Sequence, residues 1–305
     1  MGMKTSGYEG IDIKKYLNEK KEKVDSFFRS YFQEQRKPAV LQEAMLYSLF
    51  AGGKRIRPIL AIASYEACGG DQDEIVPYAS TLELIHTYSL IHDDLPSMDD
   101  DDIRRGKPTN HKVYGEAIAI LAGDALLTEA FSILSDTAYC RTIKEANLLK
   151  ALREVAISSG IGGMVAGQAQ DILSENSNPD KETLDFIHMH KTAALILASV
   201  KLGYILSDGS GDKLKPIISY GDKIGLAFQI VDDILNIEGD AAELGKPVGS
   251  DEKIKKMTYP GLHGIEKSRE YAKELISGAV SSLDIFSSEA DPLRGIAFYL
   301  LDRRN

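Results

Sequence analysis

Along most of this chain apolar residues recur at threes and fours, and nowhere do they alternate convincingly as a half-buried strand requires. Ile13, Tyr16, Leu17, Val24, Phe27 and Phe28 share one face among lysines and glutamates, which predicts an amphipathic helix from Ile11 to Phe32, closed by Pro38. A second helix is predicted over Leu41–Phe50 and stops at Ala51-Gly52-Gly53. An apolar segment, Ile59–Cys68, ends at Gly69-Gly70, and Glu74–His92 reads as a long helix. The same periodicity or composition predicts helices over Ala117–Leu134, Ile143–Ser159, Gly162–Leu173, Thr183–Leu206, Leu214–Ile237, Glu266–Phe286 and Asp291–Arg303. The glycine-rich and polar stretches between them are loops, and none is a linker that separates domains. The expected class is all-α. We expect a single large helical domain over residues 1–305, with residues 1–8 a flexible N-terminus.

One of these helices ends in an unusual way. The apolar run through Leu82, Leu84, Ile85, Tyr88, Leu90 and Ile91 leads into Asp93-Asp94, then Pro96, then Asp99 to Asp102 and Arg104-Arg105. Carboxylates on an apolar helix are costly to desolvate, and six so close together repel one another. A divalent cation answers both problems. A solvated acidic loop accounts for Asp100 to Asp102, but not for the pair at the end of an apolar run.

The feature occurs twice. Asp232-Asp233 follows the apolar run Phe228-Gln229-Ile230-Val231, and each pair precedes a Gly-Lys-Pro: Gly106-Lys107-Pro108 in one case, Gly245-Lys246-Pro247 in the other. If the two helices face one another, the acids converge on one cavity. Asp232 and Asn236 are four residues apart and share a helical face. Asp99 follows Asp93 by six, which an unbroken helix would place about 240° away. Pro96 breaks the helix and lets the insert bring Asp99 back. Hard oxygen donors without His or Cys suit Mg²⁺, which keeps several waters and bridges to phosphates.

Composition narrows the partners. A net charge of −10 argues against nucleic acid, which needs a basic face. Cys68 and Cys140 have no CxxC spacing, so neither a disulfide framework nor a zinc site is expected, and a reducing cytoplasm fits best. No run approaches the ~18 apolar residues of a membrane span. Basic residues gather near the turns and acidic pairs: Lys54, Arg57 and His86; Arg104 and Arg105; Lys191-Thr192, Lys246 and Lys256. Arginine offers a planar fork to phosphate oxygens and lysine a compact charge.

Taken together, Gly52-Gly53-Lys54-Arg55-Ile56-Arg57-Pro58, Asp93-Asp94 through Asp99 with Arg104-Arg105, Gly167-Gln168, Lys191-Thr192, Phe228-Gln229 and Asp232-Asp233 resemble the trans-isoprenyl diphosphate synthases, over nearly the whole chain. The resemblance implies an all-α, usually homodimeric fold of isoprenoid-synthase type with a deep central cavity and two or three Mg²⁺ ions. By that resemblance Asp93, Asp94 and Asp99 hold Mg²⁺ against an allylic diphosphate, and Asp232 and Asp233 hold a further ion from the opposite wall. Arg104, Lys191, Gln229, Lys246 and Lys256 contact the allylic substrate, with Thr192 at its reacting end. Lys54, Arg57, His86 and Arg105 bind isopentenyl diphosphate. The second motif ends in Asn236 where the family commonly has Asp, so it brings no charge there.

Ser89 and Tyr88 lie four and five residues before Asp93, ~6–7.5 Å back along the helix. An aromatic at the fifth position, with the insert, is similar to bacterial synthases that stop at the fifteen-carbon farnesyl diphosphate. The sequence reading therefore expects a farnesyl diphosphate synthase, with a geranylgeranyl diphosphate synthase as the alternative. A class I terpene cyclase, an HD-type phosphohydrolase suggested by His92-Asp93, and a non-catalytic partner subunit are less well matched.

Overall fold

A computed structural model describes residues 10–70, 73–174, 180–238 and 258–301. Its helices are α1 (Ile13–Tyr31), α2 (Ala39–Leu49), α3 (Ile56–Ala67), α4 (Ile75–Asp93), α5 (Asn110–Tyr114), α6 (Glu116–Leu134), α7 (Glu145–Ser159), α8 (Met164–Ser174) and α9 (Lys181–Ile187). They continue with α10 (Ala194–Leu206), α11 (Gly211–Glu238), α12 (Tyr259–His263), α13 (Ile265–Ser282) and α14 (Asp291–Leu301). The all-α expectation holds, with one small exception. Strands β1 (Ile103–Arg104) and β2 (Lys107–Pro108) pair antiparallel around Arg105-Gly106. Both turn residues have positive φ, 53° and 73°, as a tight two-residue hairpin demands. Two residues per strand are too few for an alternating pattern to register.

The helix ends fall within a few residues of the predicted ones. The main surprise is the predicted helix Thr183–Leu206, which is interrupted by a π-helical turn, His188–Ala193. That turn packs on Gly167 of α8, where a Cβ would lie 2.1 Å from the Lys191 backbone nitrogen. Only glycine allows so close an approach.

The buried apolar residues form two large clusters. One gathers α1, α2, α4, α6 and α7 around Phe28, Leu82, Ile85 and Leu126. The other gathers α3, α10, α11, α13 and α14 around Ile59, Ile196, Ile224 and Leu293. By length and hydropathy alone α6 could cross a membrane, although polar residues interrupt its apolar run. In the fold it packs chiefly on α4 and buries Ala119, Ala122, Gly123 and Leu126 there.

Candidate active site

The two aspartate pairs sit at the C-terminal end of α4 and near that of α11, and one cavity of about 660 Å³ lies between them. Asp93 and Asp99 line it from one side, and Asp232, Asp233 and Asn236 from the other. The predicted return of Asp99 is made by the insert: α4 ends at Asp93, the chain turns through Leu95 to Met98, and the Asp99 amide donates to the Asp93 carbonyl at 2.9 Å.

Within each pair the two aspartates are placed differently. Asp93 is half-buried and Asp232 exposed, and both face the cavity. Asp94 is buried, does not line that cavity, and accepts from Arg104 Nε at 2.6 Å. Burial pushes its carboxyl up to about 6, with Arg104 opposing the shift. Adjacent helical residues diverge by ~100°, and Asp94 points away from the cavity that Asp93 lines. Asp94 therefore stands with Arg104 rather than in the cavity lining. Asp233 is buried too, accepting from Gln229 Nε2 at 2.7 Å and from the Tyr259 amide at 2.9 Å, with His188 Nε2 3.4 Å away. Asp93, Asp99 and Asp232 all line the cavity, and their carboxylate oxygens are donors of the kind that suits a hard divalent cation such as Mg²⁺.

Of the basic residues, Arg57, His86, Arg104, Arg105 and Lys191 line the cavity, and so do Thr192 and Gln229. Lys54 does not; its ammonium lies 5.9 Å from the Tyr299 ring centroid on α14. Lys246 and Lys256 fall outside the described residues. Arg105 is drawn toward the glycine loop, where it donates to the Gly52 carbonyl and lies against Gly53, whose Cβ would come within 2.9 Å of it. The loop and the hairpin thus build one cationic wall. Burial and the neighbouring Arg55 and Arg104 weaken the hold of Arg105 on its proton, although Glu83 opposes this. Such crowding suits an anion. Gln168 also lines the cavity, and its Nε2 has no partner among the described residues.

On the π-helical turn, Lys191 pairs with Asp171 of α8 at 2.6 Å, and Thr192 donates to Gln229 Oε1 at 2.7 Å. Asp171 also lines the cavity and was missed from sequence, because a lone acid on an amphipathic helix carries no local signal. His92, next to Asp93, turns toward α6. The His92 ring donates through Nε2 to the Ile120 carbonyl of α6 at 3.0 Å.

Residues 38–285 match the polyprenyl synthetase family model. The chain belongs to the polyprenyl synthetase family. It is 49% identical over 273 residues to the chloroplastic geranylgeranyl pyrophosphate synthase of Capsicum annuum, covering 88% of this chain and 73% of that one. It is 45% identical to the heterodimeric geranylgeranyl pyrophosphate synthase large subunit 1 of Arabidopsis thaliana, covering 99% and 82%. Among solved structures, an FPP/GFPP synthase from Zymomonas mobilis superposes with a TM-score of 0.83 at 36% identity, covering 96% of this chain and 99% of the other. A geranyltransferase from Legionella pneumophila gives 0.84 at 33%, covering 98% and 99%. As a polyprenyl synthetase the protein is a prenyltransferase acting on isopentenyl and allylic diphosphates.

In this polyprenyl synthetase His86 is held neutral. Burial, then Arg57, Arg105 and Arg104, push its pKa well below the ordinary 6.5. Below that pH the unfolded chain takes up a proton that the folded chain refuses, so protons favour unfolding. His86→Gln should flatten the acid loss of stability between pH 7 and 5 by up to about 1.4 kcal/mol per pH unit. Urea titrations of both proteins across that range check it, and parallel curves would rule it out.

Proposed function

We propose that this polyprenyl synthetase joins isopentenyl diphosphate head-to-tail to dimethylallyl and then geranyl diphosphate, releasing farnesyl diphosphate. The length rests on the floor of the cavity. On α4 the lining runs back from Asp93 only as far as His86, while Leu82, Leu84 and Ile85 are fully buried in the core. Tyr88 stands in that floor, 6% exposed, beside Ser89. A tail growing away from Asp93 meets the Tyr88 ring.

In this reading Asp93, Asp99 and Asp232 hold Mg²⁺, which supplies electrostatic stabilisation of the departing diphosphate. Arg104, itself held by Asp94, and Lys191 neutralise the allylic diphosphate as its carbon–oxygen bond ionises. Arg57, Arg105 and the neutral His86 seat isopentenyl diphosphate on the cationic wall. Its double bond attacks the allylic cation, and the proton lost in that step passes to the diphosphate. Met164, Val165, Ile172 and Phe228 give the cavity apolar walls that keep water from the cation. A homodimer is part of the proposal, with Val113, Ile120 and Leu121 exposed on α5 and α6 as its apolar face.

A second reading, a geranylgeranyl diphosphate synthase, is favoured by the names of the sequence relatives, which back twenty carbons better than fifteen. Incubation with isopentenyl diphosphate, dimethylallyl diphosphate and Mg²⁺, followed by chain-length analysis, separates the two. Tyr88→Ala is expected to shift the main product from fifteen carbons to twenty or more. An unchanged product spectrum would remove Tyr88 from the argument.

A further inference from the structure

Tyr88 is buried at the floor of the cavity, and the structure shows what touches its ring. One helical turn on, His92 meets it edge-on, with centroids 5.7 Å apart and planes at 78°. Residues four apart on a helix lie one above the other, and this tilt is the favoured one for aromatic pairs. His92 is in turn fixed from α6. Its Nε2 donates to the Ile120 carbonyl at 3.0 Å, and its ring lies over the bare α-carbon of Gly123. A Cβ at Gly123 would fall 2.1 Å from that same nitrogen, and under 3 Å from two carbons of the ring. The ring therefore occupies the space a side chain would fill, and Gly123 is buried where α6 crosses α4.

We infer that His92, seated on α6 by Gly123 and Ile120, is a positioning residue that sets how far the Tyr88 ring reaches into the cavity floor, and so sets product length. The inference deepens the proposed role of Tyr88 and rests on it. Without the imidazole, the Tyr88 ring turns back toward α6 and the floor deepens. A Cβ at Gly123 lifts the imidazole off α6 toward Tyr88, and the floor becomes shallower. The two substitutions act in opposite directions, which general loosening of the fold does not produce.

The test is chain-length analysis of His92→Ala, His92→Gln and Gly123→Ala, each also made in a Tyr88→Ala background. The glutamine can still donate to the Ile120 carbonyl but has no ring, so it separates the hydrogen bond from the ring contact and stands in if the alanine variant does not fold. Expected are a ratio of longer to shorter products raised about fivefold or more by both His92 variants and a shift to shorter products with Gly123→Ala. In the Tyr88→Ala background the His92 variants should add nothing further. Unchanged ratios in the His92 variants, with Tyr88→Ala still lengthening the product, overturn the inference and leave the floor reading standing. An effect of His92 that persists undiminished without the Tyr88 ring also overturns it. If Tyr88→Ala itself changes nothing, the floor reading falls and the inference falls with it.

Discussion

Asp93→Asn should lower the rate of condensation about 10³-fold while the protein stays folded. The change keeps the shape of the side chain and removes one negative charge from the carboxylates that line the cavity. Asp232→Asn should behave alike from the opposite wall, and in both variants half-maximal rate should need more Mg²⁺. The contrast with the second member of each pair makes this sharp. Asp94 already spends its charge on Arg104, so Asp94→Asn should act by loosening the arginine and raise the KM for the allylic substrate more than it changes the Mg²⁺ dependence. Steady-state rates over a Mg²⁺ series check both. Wild-type kcat/KM in Asp93→Asn at every Mg²⁺ concentration would refute the assignment.

Arg55→Ala should cost about 3–5 kcal/mol of stability, because it removes one partner from a buried ionic cluster. Arg55 is 2% exposed; Nε meets Asp25 at 2.9 Å, one guanidinium nitrogen meets Glu83 at 2.8 Å and the other the Leu49 carbonyl at 2.6 Å. Asp25 has Lys21 as a second partner, but Glu83 is buried at 2% exposure and would face Arg55's empty place. Arg55 also starts α3 in a left-handed conformation, φ 54°, so losing its anchors frees the Gly52–Gly53 loop on which Arg105 rests. Urea unfolding measures the loss, and Arg55→Met combined with Asp25→Asn and Glu83→Gln should recover part of it. A loss under about 1 kcal/mol in Arg55→Ala would mean the carboxylates find other partners.

How much of the site was legible beforehand can be judged from particular residues. That Asp93, Asp99 and Asp232 are candidates for one site was readable, because acids ending apolar helices are a local signal, and all three line one cavity. Pro96 marked where the helix had to break. Arg57 and Arg105 stand beside glycine turns and both line the cavity; Lys54 stands beside one too and does not. Asp171 gave no signal, since only its meeting with Lys191, 20 residues away, distinguishes it. The hairpin around Arg105-Gly106 was invisible for want of length, and the π-helical turn because a single wide turn inside a helix has no composition signal of its own.

The sequence by itself determined the helices, their approximate ends and the two acidic pairs, because periodicity, glycine stops and charge on an apolar face act over a few residues. The tertiary structure alone decided that Asp94 turns to Arg104 and Asp233 to Gln229 and Tyr259, that α6 packs one side on α4, and that His92 turns to Gly123. Those outcomes depend on which buried groups find partners on elements distant in the chain, and desolvation makes such pairings all-or-none.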